Sequence, residues 1–171
     1  VIGVKPIHLL SKEERAKAPQ LEDLAIDIGC TSRAEAEALV QPGEPVVFLS
    51  DFTPYGEGFL KAKALDDRAG CALLIRMIQS ELPYDCLFSF TVQEEAGCTG
   101  GRTAAYTLRP EIAVAVETTT AGDLAGAEGR DRVCRLGAGP VVSFMDRGTV
   151  YDAGLYRRIF RLAAERQILC Q

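Results

Sequence analysis

Acidic residues stand at three successive junctions between apolar stretches, and this pattern constrains the fold more than anything else in the chain. Asp66-Asp67-Arg68 opens a stretch whose apolar positions (Ala69, Ala72, Leu73, Ile75, Met77, Ile78) are nearly continuous, as in a helix packed on a sheet. Pro83 and Tyr84 end it. Cys86-Leu-Phe-Ser-Phe-Thr-Val92 then reads as a strand, with Glu94-Glu95 just beyond its end. Gly97 to Leu108 reads as the next helix, with Gly100-Gly101 allowing close backbone packing near its start. Ile112 to Val116 reads as another strand, closed by Glu117. Helices alternating with strands over short links predict βαβ units, hence an α/β fold with a largely parallel sheet and flanking helices. Gly137 to Phe144 offers a further strand, and Asp152 caps an amphipathic helix carrying Leu155, Ile159, Leu162 and Ala163.

Residues 1–60 have another character. Lys12 to Pro19 is short, charged and ends in proline, which predicts a surface turn or loop. Leu21 to Ile28 mixes apolar and acidic residues as a half-buried strand does, and Glu22, Asp23 and Asp27 fit its wet face. Thr31 or Ser32 caps a short helix, Ser32 and Glu35 having capping-box spacing, and Pro42-Gly43 ends it. Pro45 to Leu49 reads as a strand, and Asp51 to Gly58 as a hairpin or interdomain loop. The division expected is a small β-rich module over 1–60 and a second domain over 61–171.

Composition narrows the partners. Net charge is −5 with Lys and Arg scattered, which argues against nucleic acid and anionic membranes. No apolar run has the length of a membrane span, and the N-terminus shows no basic-then-apolar signal region. Six cysteines without a Cys-x-x-Cys pair predict reduced, mostly buried thiols in a cytoplasmic protein, and a zinc finger fails for want of spacing and of histidine. The lone histidine, His8, reads as packed or hydrogen-bonded rather than as a ligand.

Clustered carboxylates at strand ends suit hard divalent cations. One Asp can bridge two cations that stand about 3.5 to 4 Å apart. Of the neighbours Glu94 and Glu95, one can ligate while the other holds the attacking water as general base, and Glu117 offers a terminal ligand. Each acid pair taken alone is better explained by helix capping and surface charge. Three acidic positions on successive βα elements favour a site. Glycoside hydrolysis by the two glutamates is disfavoured, because adjacent residues do not flank a sugar at roughly 5 to 9.5 Å.

The stretches Ala64-Leu-Asp-Asp-Arg-Ala-Gly-Cys71, Phe90-Thr-Val-Gln-Glu-Glu-Ala-Gly97 and Val116-Glu-Thr-Thr-Thr-Ala-Gly-Asp123 resemble the tetrahedral, two-metal aminopeptidase family. That family includes glutamyl and deblocking aminopeptidases and members once labelled endoglucanases. Val1 to Leu10, Leu24 to Gly29 and Gly139 to Val142 are similar to it as well. The resemblance implies Asp66 as the bridging metal ligand, before a cis peptide bond to Asp67. It implies Glu94 as the general base, Glu95 and Glu117 as ligands to one metal each, and Asp67 and Arg68 as residues supporting them. It also implies two divalent ions, zinc or cobalt, and peptide substrates cut from the free N-terminus. Residues 1–60 then belong to an inserted, PDZ-like dimerisation domain, and the assembly is a tetrahedral dodecamer. The family's two histidine ligands have no counterpart, since His8 falls in the inserted module. The expectation is therefore an internal fragment with N-terminal and C-terminal segments missing, inactive alone; the other reading is a shortened, non-catalytic relative serving assembly or peptide binding.

Overall fold

The computed structural model describes residues 2–171. They group into two compact units, 2–49 and 50–171.

In the first unit, β1 (Ile2–Gly3) pairs antiparallel with β2 (Ala25–Ile26), Gly3 facing Ala25. The charged stretch after Leu10 is a single helical turn, α1 (Lys12–Arg15), rather than a loop. Ser11 Oγ accepts from Glu14 N at 3.2 Å and Glu14 Oε2 from Ser11 N at 2.7 Å, so a complete capping box fixes the turn before Pro19 can end it. The strand expected over Leu21 to Ile28 shrinks to β2, because its first residues form a 3-10 turn (Leu21–Asp23) tied by Asp23 Oδ2 to Gln20 N. Helix α2 (Arg33–Leu39) starts where expected: Ser32 Oγ accepts from Glu35 N. The Glu35 carboxylate reaches past Ser32 to Thr31 N at 2.8 Å, so the box is shared by two residues. Pro45 to Leu49 forms no strand; Val46 to Leu49 are 60–93% exposed and have no sheet to join.

The second unit opens with the expected hairpin. Strand β3 (Thr53–Tyr55) pairs antiparallel with β4 (Phe59–Lys61), and Tyr55 and Phe59 rings meet across it at 5.8 Å. This hairpin groups with the helices that follow. Helices α3 (Leu65–Ile78), α4 (Thr99–Leu108) and α5 (Ala153–Glu165) come next. Asp152 Oδ1 caps α5 through Leu155 N at 2.7 Å, and Tyr156 packs edge-on against Phe144 and onto Phe160.

Between the helices the structure departs from expectation. Among the described residues the sheets are the two antiparallel pairs, and Cys86–Val92, Ile112–Val116 and Gly137–Phe144 belong to none of them. These stretches lack cover as well as partners: Leu87, Val92, Ile112 and Val114 are all more than 60% exposed. A strand buried on both faces derives its stability from that cover, so its apolar sequence predicts it only where the cover exists. The chain exposes 15343 Å², nearly twice the roughly 8,000 Å² of a compact monomer of this size. Cys134 is the one buried apolar side chain among the described residues.

Polar stitches hold the segment from Thr120 to Val142 instead. Gly122 N donates to Cys134 O at 2.8 Å, Leu136 N to Asp123 Oδ2 at 2.8 Å, and the Cys134 thiol to Thr120 O. Gln171 N donates to Pro140 O and Val142 N to Gln171 O, while the Gln171 amide side chain holds Arg135 and Gly139. No helix among the described residues is long and apolar enough to cross a membrane.

Candidate functional site

Helix α3 does not begin as a regular helix. Ala64 is left-handed (φ 52°), Asp66 and Asp67 have non-helical backbone angles, and the peptide bond between them is cis. Regular turns start at Arg68, so the two acids form a corner in front of the helix. The Asp67 carboxylate folds back over the first turn and accepts from Gly70 N at 2.9 Å, satisfying a donor that a helix start leaves open. Gly70 is buried, and a Cβ there would run into that carboxylate.

Asp66 is left to face the other way. It lines an open cleft of about 280 Å³ with Leu65, Thr118, Thr119 and Thr120. The Glu117 carboxyl comes within hydrogen-bonding reach of Asp66. Partial burial pushes the Glu117 carboxyl above its ordinary value; the Thr118 N–H, donating at 2.9 Å, pulls it down, and the neighbouring Asp66 and Asp67 push it up again.

Glu94 is set by a second corner, the turn that leads into α4. Its carbonyl accepts from both Gly97 N and Cys98 N at 2.9 Å, and its Oε1 accepts from the Cys98 thiol at 3.5 Å. That bond is the main reason the Cys98 thiol is pushed above its ordinary value, with smaller contributions from burial and from the charges of Glu94 and Glu117. The corner closes on itself: Gly100 N donates to Val92 O at 3.2 Å, and Thr99 Oγ1 to Gln93 Oε1 at 2.6 Å. A Cβ on Gly100 would overlap the Val92 backbone, so the close approach expected at Gly100-Gly101 rests on the first of them.

The structure thus brings Glu117 within reach of Asp66, with the charge of Asp67 felt at Glu117 and that of Glu117 felt at Cys98. Glu95 and Arg68 are exposed. His8 lies exposed in a 3-10 turn of the first unit (Ile7–Leu9). Cysteines are less buried than their apolar neighbours in sequence suggest: Cys86 and Cys98 are exposed, Cys30, Cys71 and Cys170 half-buried, and all six are free. Cys98 beside Glu94 and the three threonines beside Asp66 escape the sequence reading. The spacing of four residues from Glu94 to Cys98 was the signal for the first.

Two carboxyls in hydrogen-bonding reach repel when both are ionised, and a shared proton or a divalent cation relieves them. The Asp66–Glu117 pair therefore fits as two oxygen donors to one hard cation. Among the described residues no three or more acid, cysteine or histidine side chains converge to complete a coordination shell.

Known proteins share this fold over nearly the whole chain. The structure superposes with a TM-score of 0.90 on a TET aminopeptidase from the marine sediment archaeon Thaumarchaeota archaeon SCGC AB-539-E09, 34% identical, covering 100% of this chain and 50% of that one. PhTET1-12s, described as a dodecamer, matches with a TM-score of 0.75 and 31% identity over 99% of this chain and 50% of its own. A lysyl aminopeptidase of Pyrococcus furiosus is 32% identical over 159 residues, 90% of this chain and 42% of that protein. The chain spans about half the length of the curated relatives it matches. Their common fold is the α/β exopeptidase type. The model of the M42 glutamyl aminopeptidase family matches residues 1–171, and with these relatives it shows that the chain belongs to that family.

Proposed function

We propose that this chain carries the acidic half of a metal-dependent aminopeptidase site, which releases N-terminal residues from peptides. The observation that carries the reading is the meeting of Asp66 and Glu117, from elements 51 positions apart, beside the corner that presents Glu94. In this reading Asp66, Glu95 and Glu117 would hold two divalent cations, zinc or cobalt, and Asp67 and Arg68 would support them. When bound, such ions lower the pKa of coordinated water to about 7 and polarise a carbonyl. The rest is done by side chains. Asp67 is held by Gly70 N, which fixes the corner from which Asp66 projects. Glu94 takes a proton from the attacking water and returns it to the leaving amine. Thr118 to Thr120 wall the cleft on the side of Asp66.

Wider features belong to the same reading. The remaining donors and the cover for the exposed apolar stretches come from segments or subunits beyond these residues, supported by the 15343 Å² of exposed surface and by the half-length match. Residues 1–60 form the inserted, PDZ-like dimerisation module, and the assembly grows from dimer to tetrahedral dodecamer, as the dodecameric neighbour suggests. Cys86–Val92, Ile112–Val116 and Gly137–Phe144, unpaired here, become strands of a parallel sheet once that cover is supplied. Gln171 supports this, bonding on either side of Val141 after the crossover helix α5. The free cysteines suit work in the cytoplasm. Nothing in the matched relatives favours the non-catalytic scaffold.

The test is Glu94→Gln in the complete, metal-loaded enzyme that carries this half. Turnover of peptides falls by two orders of magnitude or more, on the order of general-base loss, while metal content stays at the wild-type level. Loss of metal instead shows that Glu94 is a ligand and exchanges its role with Glu95.

A further inference from the structure

We propose that Cys98 is a positioning residue for Glu94: its thiol donates to Oε1 and sets the direction in which the carboxylate faces. This rests on the reading of Glu94 as the base. Three bonds converge on Glu94 from two consecutive residues. Gly97 N and Cys98 N fix its carbonyl at 2.9 Å, and the Cys98 thiol fixes one carboxylate oxygen at 3.5 Å. The backbone at Cys98 is left-handed (φ 58°, ψ 30°), a conformation that glycine adopts with less strain than any residue carrying a Cβ. A side chain at this position is thus held against the preference of its own backbone, and the hydrogen bond it makes is with the base. Gln93, on the other flank of Glu94, is also left-handed (φ 59°) and is tied by Thr99 Oγ1. The turn is therefore fixed on both sides of Glu94, and only the carboxylate itself retains freedom. With Oε1 engaged, Oε2 is the oxygen open to the proton of water.

The other charged groups felt at the thiol are Arg102, one turn into α4, and Glu117. Neither replaces the bond to Glu94. A thiol is a weak donor, so the expected effect is modest and directional.

Three variants of the metal-loaded protein test this. Cys98→Ala lowers kcat roughly fivefold, the size of one modest hydrogen bond, with KM and metal content unchanged. Cys98→Ser restores most of the loss, since a hydroxyl donates to the same oxygen. Cys98→Gly relieves the left-handed strain and still loses activity, which separates positioning from support of the turn. Wild-type kcat in Cys98→Ala, or no rescue by serine, overturns the proposal. A second readout does not depend on catalysis. Iodoacetamide labelling of Cys98, followed by peptide mass mapping, runs roughly threefold faster in Glu94→Gln because the thiol no longer faces a carboxylate; an unchanged rate overturns the contact. A protein that cleaves no peptide while Glu94→Gln still speeds labelling removes the catalytic reading and keeps the positioning.

Discussion

The corners before α3 and α4 are written in nearly the same letters. Asp66-Asp67 is followed by Arg-Ala-Gly-Cys, Glu94-Glu95 by Ala-Gly-Cys, yet the two fold differently. At the first corner the helix has already begun when Gly70 and Cys71 arrive, so Gly70 offers a backbone N–H and Asp67 accepts it. At the second the helix starts only at Thr99, so Gly97 (φ 104°) and Cys98 are still in the turn and the thiol is the donor to the acid. One extra residue, Arg68, shifts the phase between acid pair and helix. The lesson is that such a motif assigns its carboxylates by where the first regular turn falls: the capping acid is spent on the helix, and its neighbour is left for chemistry.

That contrast is broken most sharply at Asp66 and Asp67. Asp66→Asn removes a charge from the pair it makes with Glu117, and metal affinity and kcat fall by about 100-fold or more, beyond the 10- to 100-fold range typical of supporting residues. Asp67→Asn keeps an acceptor for Gly70 N and stays within that range. Metal titration of the two proteins measures this, and equal losses would mean that both acids are ligands.

The glycines sharpen it next. A Cβ at Gly100 meets the oxygen and nitrogen of Val92, which are backbone and do not move aside, so Gly100→Ala costs about 2 kcal/mol of stability despite the better helix propensity of alanine. At Gly70 the obstacle is the end of the Asp67 side chain, which can swing away. Gly70→Ala then costs about 1 kcal/mol, the worth of the lost cap. Gly101 has open space around its Cβ position, and Gly101→Ala stabilises by up to about 1 kcal/mol. Chemical denaturation of the three variants tests the order, and Gly100→Ala as mild as Gly70→Ala would mean that the Val92–Gly100 contact is slack.

Much of this was legible in the sequence, for reasons that differ by residue. Caps were readable because Ser32, Asp152 and the acids before α3 act within four residues of themselves. The hairpin over 53–61 was readable from its glycines, Gly56 and Gly58, both with positive φ. The α1 capping box was in the letters Ser11 and Glu14, but the flanking charge and Pro19 masked it. Cys86–Val92 and Ile112–Val116 look like strands because their apolar residues suit a buried sheet, and that cover is not supplied within these residues. Which of Asp66 and Asp67 faces Glu117 came only from the family resemblance and not from the local letters, since the start of regular turns at Arg68 decides it.

A third acid, at a corner that precedes no helix directly, supplies the smallest test of the same idea. Asp146 Oδ1 accepts from Gly148 N and Thr149 N, both at 2.7 Å, and Oδ2 from the Tyr151 hydroxyl. The Tyr151 bond is the largest cause holding the Asp146 carboxyl below its ordinary value, and the same bond raises the Tyr151 phenol. A carboxyl with a depressed folded value contributes its bonds fully above the unfolded value, about 3.9, and loses them as pH falls through the folded one. Amide exchange at Gly148 and Thr149 therefore stays slow through mildly acidic pH and speeds only below about pH 4. In Asp146→Asn the side chain no longer titrates, and the acid step disappears. If the step persists in that variant, the turn is held by its backbone bond from Asp146 N to Thr149 O, and the carboxylate merely sits on it.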